Sequence, residues 1–389
     1  MPKLYTIEIL DKNLNKVAEV QNPYPLNNGG DILVFSSELS NYGSCRFRVA
    51  TKDPILDTYG DIFVPHQYHV RIRRYAEIVW QGAIVDNPRR NKSFIEVRAY
   101  EYLFYFDKKL VRRDAEVTVG DGRNNYRVFK TGTMASAVNS IITEMIADSG
   151  DNHILSNITI GTIDNPNYPN NMVSASGTQL TGAWNFSEYV AMQFDYHSIL
   201  HVLKSFGAVS NADFEITNDL VFNFRNNIGS VRSDLSFTYG THGNIQNYDV
   251  PRYGSRMINR YYGIATNEKG ALLRYDDTDS TSLNTYGLLE SATAYADVIN
   301  DNVLRSRIKE EMNLLKDPDA APINLVISKN VYGFGVVNVG DIINVRINDG
   351  LIDFNEPRTM VAISLVLHNT GSERLSLQTN KPRDADLTS

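Results

Sequence analysis

A single cysteine, Cys45, stands among 389 residues, so no intramolecular disulfide can staple the fold and packing with backbone pairing must hold it. That suits assembly in a reducing cytoplasm. Tryptophan is equally scarce, 2 residues against 22 tyrosines and 16 phenylalanines. No apolar run approaches the roughly 18 residues of a membrane-spanning helix. The start, Met1-Pro2-Lys3-Leu4-Tyr5-Thr6-Ile7-Glu8-Ile9-Leu10, lacks the basic segment and unbroken apolar stretch of a signal peptide. Basic residues are in deficit: 38 Lys and Arg against 45 Asp and Glu give a net charge of −7, which argues against a protein that coats nucleic acid electrostatically.

Signatures of catalysis are missing as well. There is no glycine loop that would cradle a phosphate and no nucleophile elbow. His197-Ser198-Ile199-Leu200-His201 sets two histidines one helical turn apart, as a zinc peptidase does, but Ser198 stands where the general-base glutamate belongs. Asp11-Lys12-Asn13-Leu14-Asn15 opens like a calcium loop, yet Lys16 replaces the sharp-turn glycine and Asn22 the bidentate glutamate. It reads as a hairpin turn. His66 and His69 make no compelling set, Asp276-Asp277-Thr278-Asp279 reads as a solvated acidic loop, and Cys45 as a small buried residue. The expectation is a non-enzyme with no catalytic residues, no metal and no cofactor.

What is present points to strands. At roughly 150 residues per domain the length allows two to three domains, and 25 glycines beside many tyrosines suit strands joined by tight turns. Thr6 to Leu10 and Lys16 to Val20 form a hairpin; Ile32 to Phe35, Arg46 to Val49, His69 to Arg73, Ile78 to Val85 and Ser93 to Ala99 follow without intervening helices. Such close spacing implies an antiparallel barrel or sandwich. The middle changes period: Met134, Ala137, Val138, Ile141 and Met145 mark a helix capped by Thr131 or Thr133, and Ile199, Val202, Leu203 and Phe206 mark a second that stops at Gly207. A hairpin over 212–224 comes next. A third helix is expected over 301–316 with Asp301 as N-cap, before a return to strands at 323–327, 341–347, 359–367 and 373–377.

The two strand-rich regions repeat an order. Phe47-Arg48-Val49, Gly60-Asp61, Val70-Arg71-Ile72, the strand from Trp80 to Val85 and Phe94-Ile95-Glu96-Val97 are matched by Leu325-Val326-Ile327, Gly340-Asp341, Val345-Arg346-Ile347, the strand from Thr359 to Leu367 and Arg374-Leu375-Ser376-Leu377. Either two related barrels or the common grammar of Gly-Asp turns before strands accounts for this. Two related barrels is the expectation carried forward.

At these residues the chain resembles the hub, or tail-associated, proteins at the tail tip of long-tailed bacteriophages, relatives of the baseplate hub of contractile tails and injection machines. Tyr5 to Val17 is similar to that family's opening hairpin, and Val70 to Val85 to its basic strand and Gln-Gly hairpin. Ser198 to Phe224 resembles its helix-then-hairpin unit, and Met257-Ile258-Asn259-Arg260-Tyr261-Tyr262-Gly263-Ile264-Ala265 its Asn-Arg strand. Tyr286 to Glu290 and the 301–316 helix then lead to the second barrel as they do there. The order of weak motifs carries the resemblance, nearly end to end.

The resemblance implies a mainly β (α+β) fold of two tail-tube-like barrels with inserted α/β bracing regions. The expected boundaries are 1–106 for the first barrel, completed by about 220–265; 107–246 for an inserted region with helices near 133–148 and 198–206; 247–321 for a second, with the helix near 301–316; and 322–380 for the second barrel, joined by a strand near 257–265. It also implies a homotrimer whose barrels make a pseudo-sixfold ring at the virion tail tip, assembled in the host cytoplasm. The partners implied are the distal tail protein or tail tube, the tape measure protein, a tip fibre or receptor-binding protein, and phage DNA passing through the bore without specific binding or membrane insertion. Candidate barrel and interface residues are Gly60, Asp61, Val70, Arg71 and Ile72, and their counterparts Gly340, Asp341, Val345, Arg346 and Ile347. Arg71, Arg73, Arg74, Arg89 and Arg90 are read as solvated strand ends or subunit contacts rather than a DNA grip.

Two other classes stand beside this one. A receptor- or carbohydrate-binding protein would use loop aromatics such as Tyr24, Tyr168 and Trp184 as stacking platforms, although anchoring the polar 164–187 loop to the core is the favoured reading of Tyr168 and Trp184. A cell-wall hydrolase would need a catalytic module, for which the residues after the last expected strand leave no room.

Overall fold

The computed structural model describes residues 4–86, 89–111, 127–150, 153–168, 172, 179–187, 190–194, 196–250, 257–267, 269–316, 322–327, 333–350 and 352–380. Fourteen strands join in one sheet. They are β1 (Tyr5–Leu10), β2 (Lys16–Val20), β3 (Asp31–Glu38), β4 (Ser44–Ala50), β5 (His69–Arg74), β6 (Glu77–Ile84), β7 (Arg89–Arg90), β8 (Phe94–Tyr100), β9 (Val231–Tyr239), β10 (Ile245–Asp249), β11 (Ile323–Ile327), β12 (Ile342–Asn348), β13 (Asp353–His368) and β14 (Glu373–Asn380). The main path runs β10-β11-β14-β13-β3-β4-β8-β6-β5-β1-β2, with β12 on β13, β9 on β12 and β7 on β8.

Alternation explains the pleat. Along β4, Cys45, Phe47 and Val49 are buried while Ser44 and Arg46 are exposed, so one face of the strand feeds the core and the other meets solvent. The same period places Val345 and Ile347 of β12 inward. Each fully buried Val, Ile or Phe contributes about 1.5–3 kcal/mol, and all of these side chains belong to one core shared by both halves of the sheet.

The repeat seen in the sequence is a repeat of ladders. In the N-terminal half β5 pairs β6, β6 pairs β8 and β8 pairs β4, all antiparallel. In the C-terminal half β12 pairs β13, β13 pairs β14 and β14 pairs β11, again antiparallel. Strand β13 joins the halves: residues 353–359 pair with β12, 359–367 with β14 and 362–368 with β3, with a bulge between Met360 and Ala362.

Both halves curl. In the first, the rings of Tyr5 on β1 and Phe35 on β3 meet edge-on at 6.0 Å, and the backbone N–H of Tyr24, just past β2, donates to the carbonyl of Arg48 on β4 at 2.7 Å. In the second, Tyr239 of β9 meets Tyr248 of β10 edge-on at 4.6 Å. The mainly β expectation holds, with a large, largely antiparallel sheet. The ladder forms one open path among the described residues rather than two separate rings.

A second core lies beside the sheet, and it unites the two inserted regions that the sequence suggests as separate. Helix Met134–Asp148 is capped by Thr133, whose hydroxyl accepts from Ser136 N–H. Helix Ile199–Ser210 is capped by Ser198 and runs three residues past Gly207 to a left-handed Asn211, because Asn supplies the positive φ that ends a helix as glycine does. Asn300, not Asp301, caps helix Asp301–Leu315. The two latter helices are tied through Asp297, which accepts from Ser205 Oγ at 3.1 Å and Arg307 Nη2 at 2.6 Å.

Two segments change place relative to the sequence reading. Strand Arg260–Thr266 pairs with Leu272–Thr278 and Glu290–Tyr295 in its own three-stranded sheet instead of joining the C-terminal half. Residues 231–249 supply β9 and β10 to the C-terminal half and do not complete the first. Strand pairing across more than 70 residues leaves no local signal, which is why period alone misassigns it.

Candidate assembly surface

Strands β5 and β12 hold most of the candidate residues. Val70, Ile72, Val345 and Ile347 each have 0% exposure, so they build the interior of their own chain and present nothing to a second subunit. Of the two readings, barrel and interface, burial fits the barrel one. Arg71 is also internal: its Nε donates to Gln81 Oε1 at 2.6 Å and its Nη1 lies 3.7 Å from Glu8. Glu8 is buried and gathers three cations, with Arg73 Nε at 3.1 Å and Lys16 Nζ at 3.2 Å. Arg74 crosses to the other half, 3.7 Å from Glu373, which also accepts from Tyr5 Oη at 3.2 Å. So Arg71, Arg73 and Arg74 are strand-to-strand ties rather than solvated ends. Arg346 is exposed on β12. Arg89 and Arg90 pair by backbone with β8, and their side chains lie outside the described residues.

The two Gly-Asp turns share a backbone and differ in surroundings. Gly60 and Gly340 both take positive φ, 70° and 87°, a conformation other residues adopt only at a cost. Gly60 and Asp61 face solvent. Asp341 is 3% exposed and accepts from Ser230 N–H at 3.1 Å, Asn338 N–H at 2.9 Å and Arg232 Nη1 at 3.5 Å. Gly229 packs so closely on Gly340 that a Cβ there would lie 2.0 Å from the Gly340 carbonyl carbon. The second turn therefore docks β9 through a buried carboxylate, whereas the first lies at the surface.

The loop aromatics are structural. Trp184 is fully buried, stacked near Tyr168 at 5.1 Å and edge-on to Phe186 at 6.1 Å. Of its two readings, loop anchor and receptor contact, burial fits the anchor, since a side chain without exposed surface cannot receive a ligand. Tyr168 is half-buried, and its hydroxyl donates to the Asn185 carbonyl at 2.6 Å. Tyr24 stacks on Phe94 at 5.6 Å.

The histidines mark the seam between sheet and second core. His197 and His201 stack at 4.5 Å, and no group of three or more potential metal ligands occurs among the described residues. His66 Nδ1 sits 3.1 Å from Tyr105 Oη. Burial, with His153 and His66 adding to it, pushes His69 down to about 4.

Sequence reasoning missed the hairpin between β3 and β4, which ties the first half to the C-terminal half and to the second core. Leu39 N–H donates to Val361 in the C-terminal half. Ser40 Oγ donates to Asp213 Oδ1 at 2.9 Å, and Lys204 Nζ to Asn41 Oδ1 at 3.0 Å, both in the second core. Glu101 closes it by accepting from Ser37 Oγ at 2.5 Å and Gly43 N–H at 2.6 Å. Burial raises Glu101 to about 7. It borders a cleft between the halves together with Glu38, Glu215, Arg225 and Phe334. Raised carboxyls in a cleft can signal acid-base chemistry, but both Glu101 oxygens are engaged by the hairpin they hold.

No protein-family model matches the chain, and no curated protein matches it significantly. Solved structures do. The 43 kDa tail protein of prophage MuSo2 from Shewanella oneidensis aligns with TM-score 0.60 at 10% identity over 98% of this chain and 99% of that chain. A tail protein from Neisseria meningitidis MC58 aligns with TM-score 0.58 at 9% identity over 97% and 96%. Prophage tail protein gp18 from Listeria monocytogenes EGD-e gives 0.53 at 11% over 97% and 95%. The resemblance to phage tail proteins holds at the level of fold, end to end.

Proposed function

We propose that the chain is a non-enzymatic structural protein of a phage tail, the hub of its tip or baseplate. The observation that carries this is the duplicated ladder: β5-β6-β8-β4 and β12-β13-β14-β11 follow one order in two halves of a continuous sheet. The full-length likeness to prophage tail proteins supports it. A chain with two equivalent halves that trimerises presents six near-equivalent units, which matches a threefold object to a sixfold tube. Each half would act as one tube-like barrel, and β2 and β10, which end the ladder path, would find partners in neighbouring copies and lose their open edges. The second core would brace this ring from outside.

In this role the protein joins the tail tube or distal tail protein to the tip fibres, meets the tape measure protein, and leaves a bore for DNA. The test is the mass of the purified chain in solution with an image of the particle. A trimer with threefold symmetry and a central opening is expected. A stable monomer would sink the ring, and hydrolysis of purified peptidoglycan would sink the non-enzymatic assignment.

A further inference from the structure

We propose that the outward face of β4 and β8 is a docking surface for a protein carboxylate, an Asp or Glu side chain of a neighbouring subunit seated between Arg46 and Arg98. The strands pair in the register Arg46 to Arg98, Phe47 to Val97 and Arg48 to Glu96. Phe47 and Val97 are fully buried, so the four charged side chains stand together on the opposite face. Glu96 is already engaged on both oxygens. Arg48 donates to one through Nε at 2.9 Å and Nη2 at 2.7 Å, and Arg98 to the other through Nη2 at 3.0 Å. The Phe94 ring lies 4.0 Å beneath the Arg48 guanidinium and fixes it. Arg46 is exposed and has no hydrogen-bond or ion-pair partner of its own among the described residues.

Three guanidinia around one carboxylate leave a surplus of positive charge at Arg46 and Arg98, which face each other across the ladder. Like charges directly opposite on a sheet are destabilising. The fold does not require them, because the equivalent strands of the other half place Asn324 opposite Gln378 and Val326 opposite Ser376 around the buried pair Leu325 and Leu377. One half of a repeated ladder thus carries an electrostatic conflict that the other lacks, and a second carboxylate between Arg46 and Arg98 would resolve it as Glu96 does between Arg48 and Arg98. The planar fork of arginine fits a carboxylate with two parallel bonds. A nucleic-acid backbone fits poorly: it offers a charge about every 1.7 Å of duplex, and its next phosphates would run over Glu96. This inference stands on the ladder comparison; only the source of the carboxylate, a neighbouring subunit, rests on the proposed tail role, and binding of a free acidic peptide reads the face without it.

Fluorescein-labelled hexaglutamate, titrated with the full chain and followed by anisotropy, tests it. Salt-sensitive binding is expected, weakened about tenfold in Arg46→Ser, Arg98→Ser and unchanged in the control Asn324→Ser, Gln378→Ser. Arg46→Ser alone should raise the melting temperature by removing the like-charge pair. Absence of binding by the wild-type chain, equal binding by the double arginine variant, a lowered melting temperature for Arg46→Ser, or displacement of the peptide by a 20-base-pair duplex more readily than by unlabelled hexaglutamate would each overturn the proposal.

Discussion

The two halves of the large sheet share a ladder and differ in how each is completed. In the first, the strand beyond β5 is β1, which pairs antiparallel in full register over six residues and hairpins into β2. In the second, the strand beyond β12 is β9, which pairs parallel, irregularly, and arrives from the far side of the inserted residues. A parallel pair needs a long crossover, and a contact so distant in sequence closes late. The first half can therefore complete itself from local sequence, whereas the second depends on the second core to deliver β9. Asp341 is buried because it holds that delivered strand; Asp61 is exposed because β1 needs no such clasp. A shared ladder thus sets the path, while turn and outer face are free to diverge.

The largest test of this comparison strikes the shared core of the sheet from each half in turn. Val345→Asp with Ile347→Asp puts two charges at positions with 0% exposure and should cost more than about 4 kcal/mol, leaving no folded C-terminal half by near-UV circular dichroism. Val70→Asp with Ile72→Asp should do the same to the first. If one pair is tolerated, the halves do not contribute equally to that core.

The turns come next. Asp341→Ala strands Ser230 N–H, Asn338 N–H and Arg232 and should lower stability by about 2–3 kcal/mol, against about 0.5 kcal/mol or less for Asp61→Ala. Urea denaturation midpoints decide this, and equal losses would remove the proposed clasp.

The arginines differ less. Arg71→Ala breaks internal bonds to Gln81 and Glu8 and should cost about 1 kcal/mol, while Arg346→Ala on the exposed face should stay within about 0.5 kcal/mol.

The last comparison is of pH dependence, and it belongs to the first half and its seam. Burial holds Glu101 protonated up to about 7, so the folded state binds the extra proton and stability falls as pH rises from about 4.5 through 7. His69, pushed down to about 4, has the opposite sign: stability is lost as pH falls from about 6.5 toward 4. Denaturation midpoints of Glu101→Gln should lose the decline between pH 5 and 7. A profile that still matches wild type would exclude Glu101 as its source.

Much of the architecture was legible from residue order. The opening hairpin, a cap at Thr131 or Thr133, the hairpin after the second helix and the doubled series of strands all leave local marks, since caps, turns and periods act over a few residues. The strands 231–239 and 245–249 were not legible as parts of the second half. Nor did Arg46-Phe47-Arg48 show that Arg98 would stand opposite. Alternation announces which residues share a face, but the register that pairs them is set by partners some 50 residues away.

By itself, the sequence determined a disulfide-free, strand-rich chain with two similar series of strands and helices between them, because pattern and turn chemistry are local. Only the tertiary structure decided that these series form one continuous sheet joined at β13, that the inserted regions share a single core, and that one Gly-Asp turn is a buried clasp while its twin lies at the surface. Pairing partners, burial and the neighbours of a charge depend on which distant segments meet.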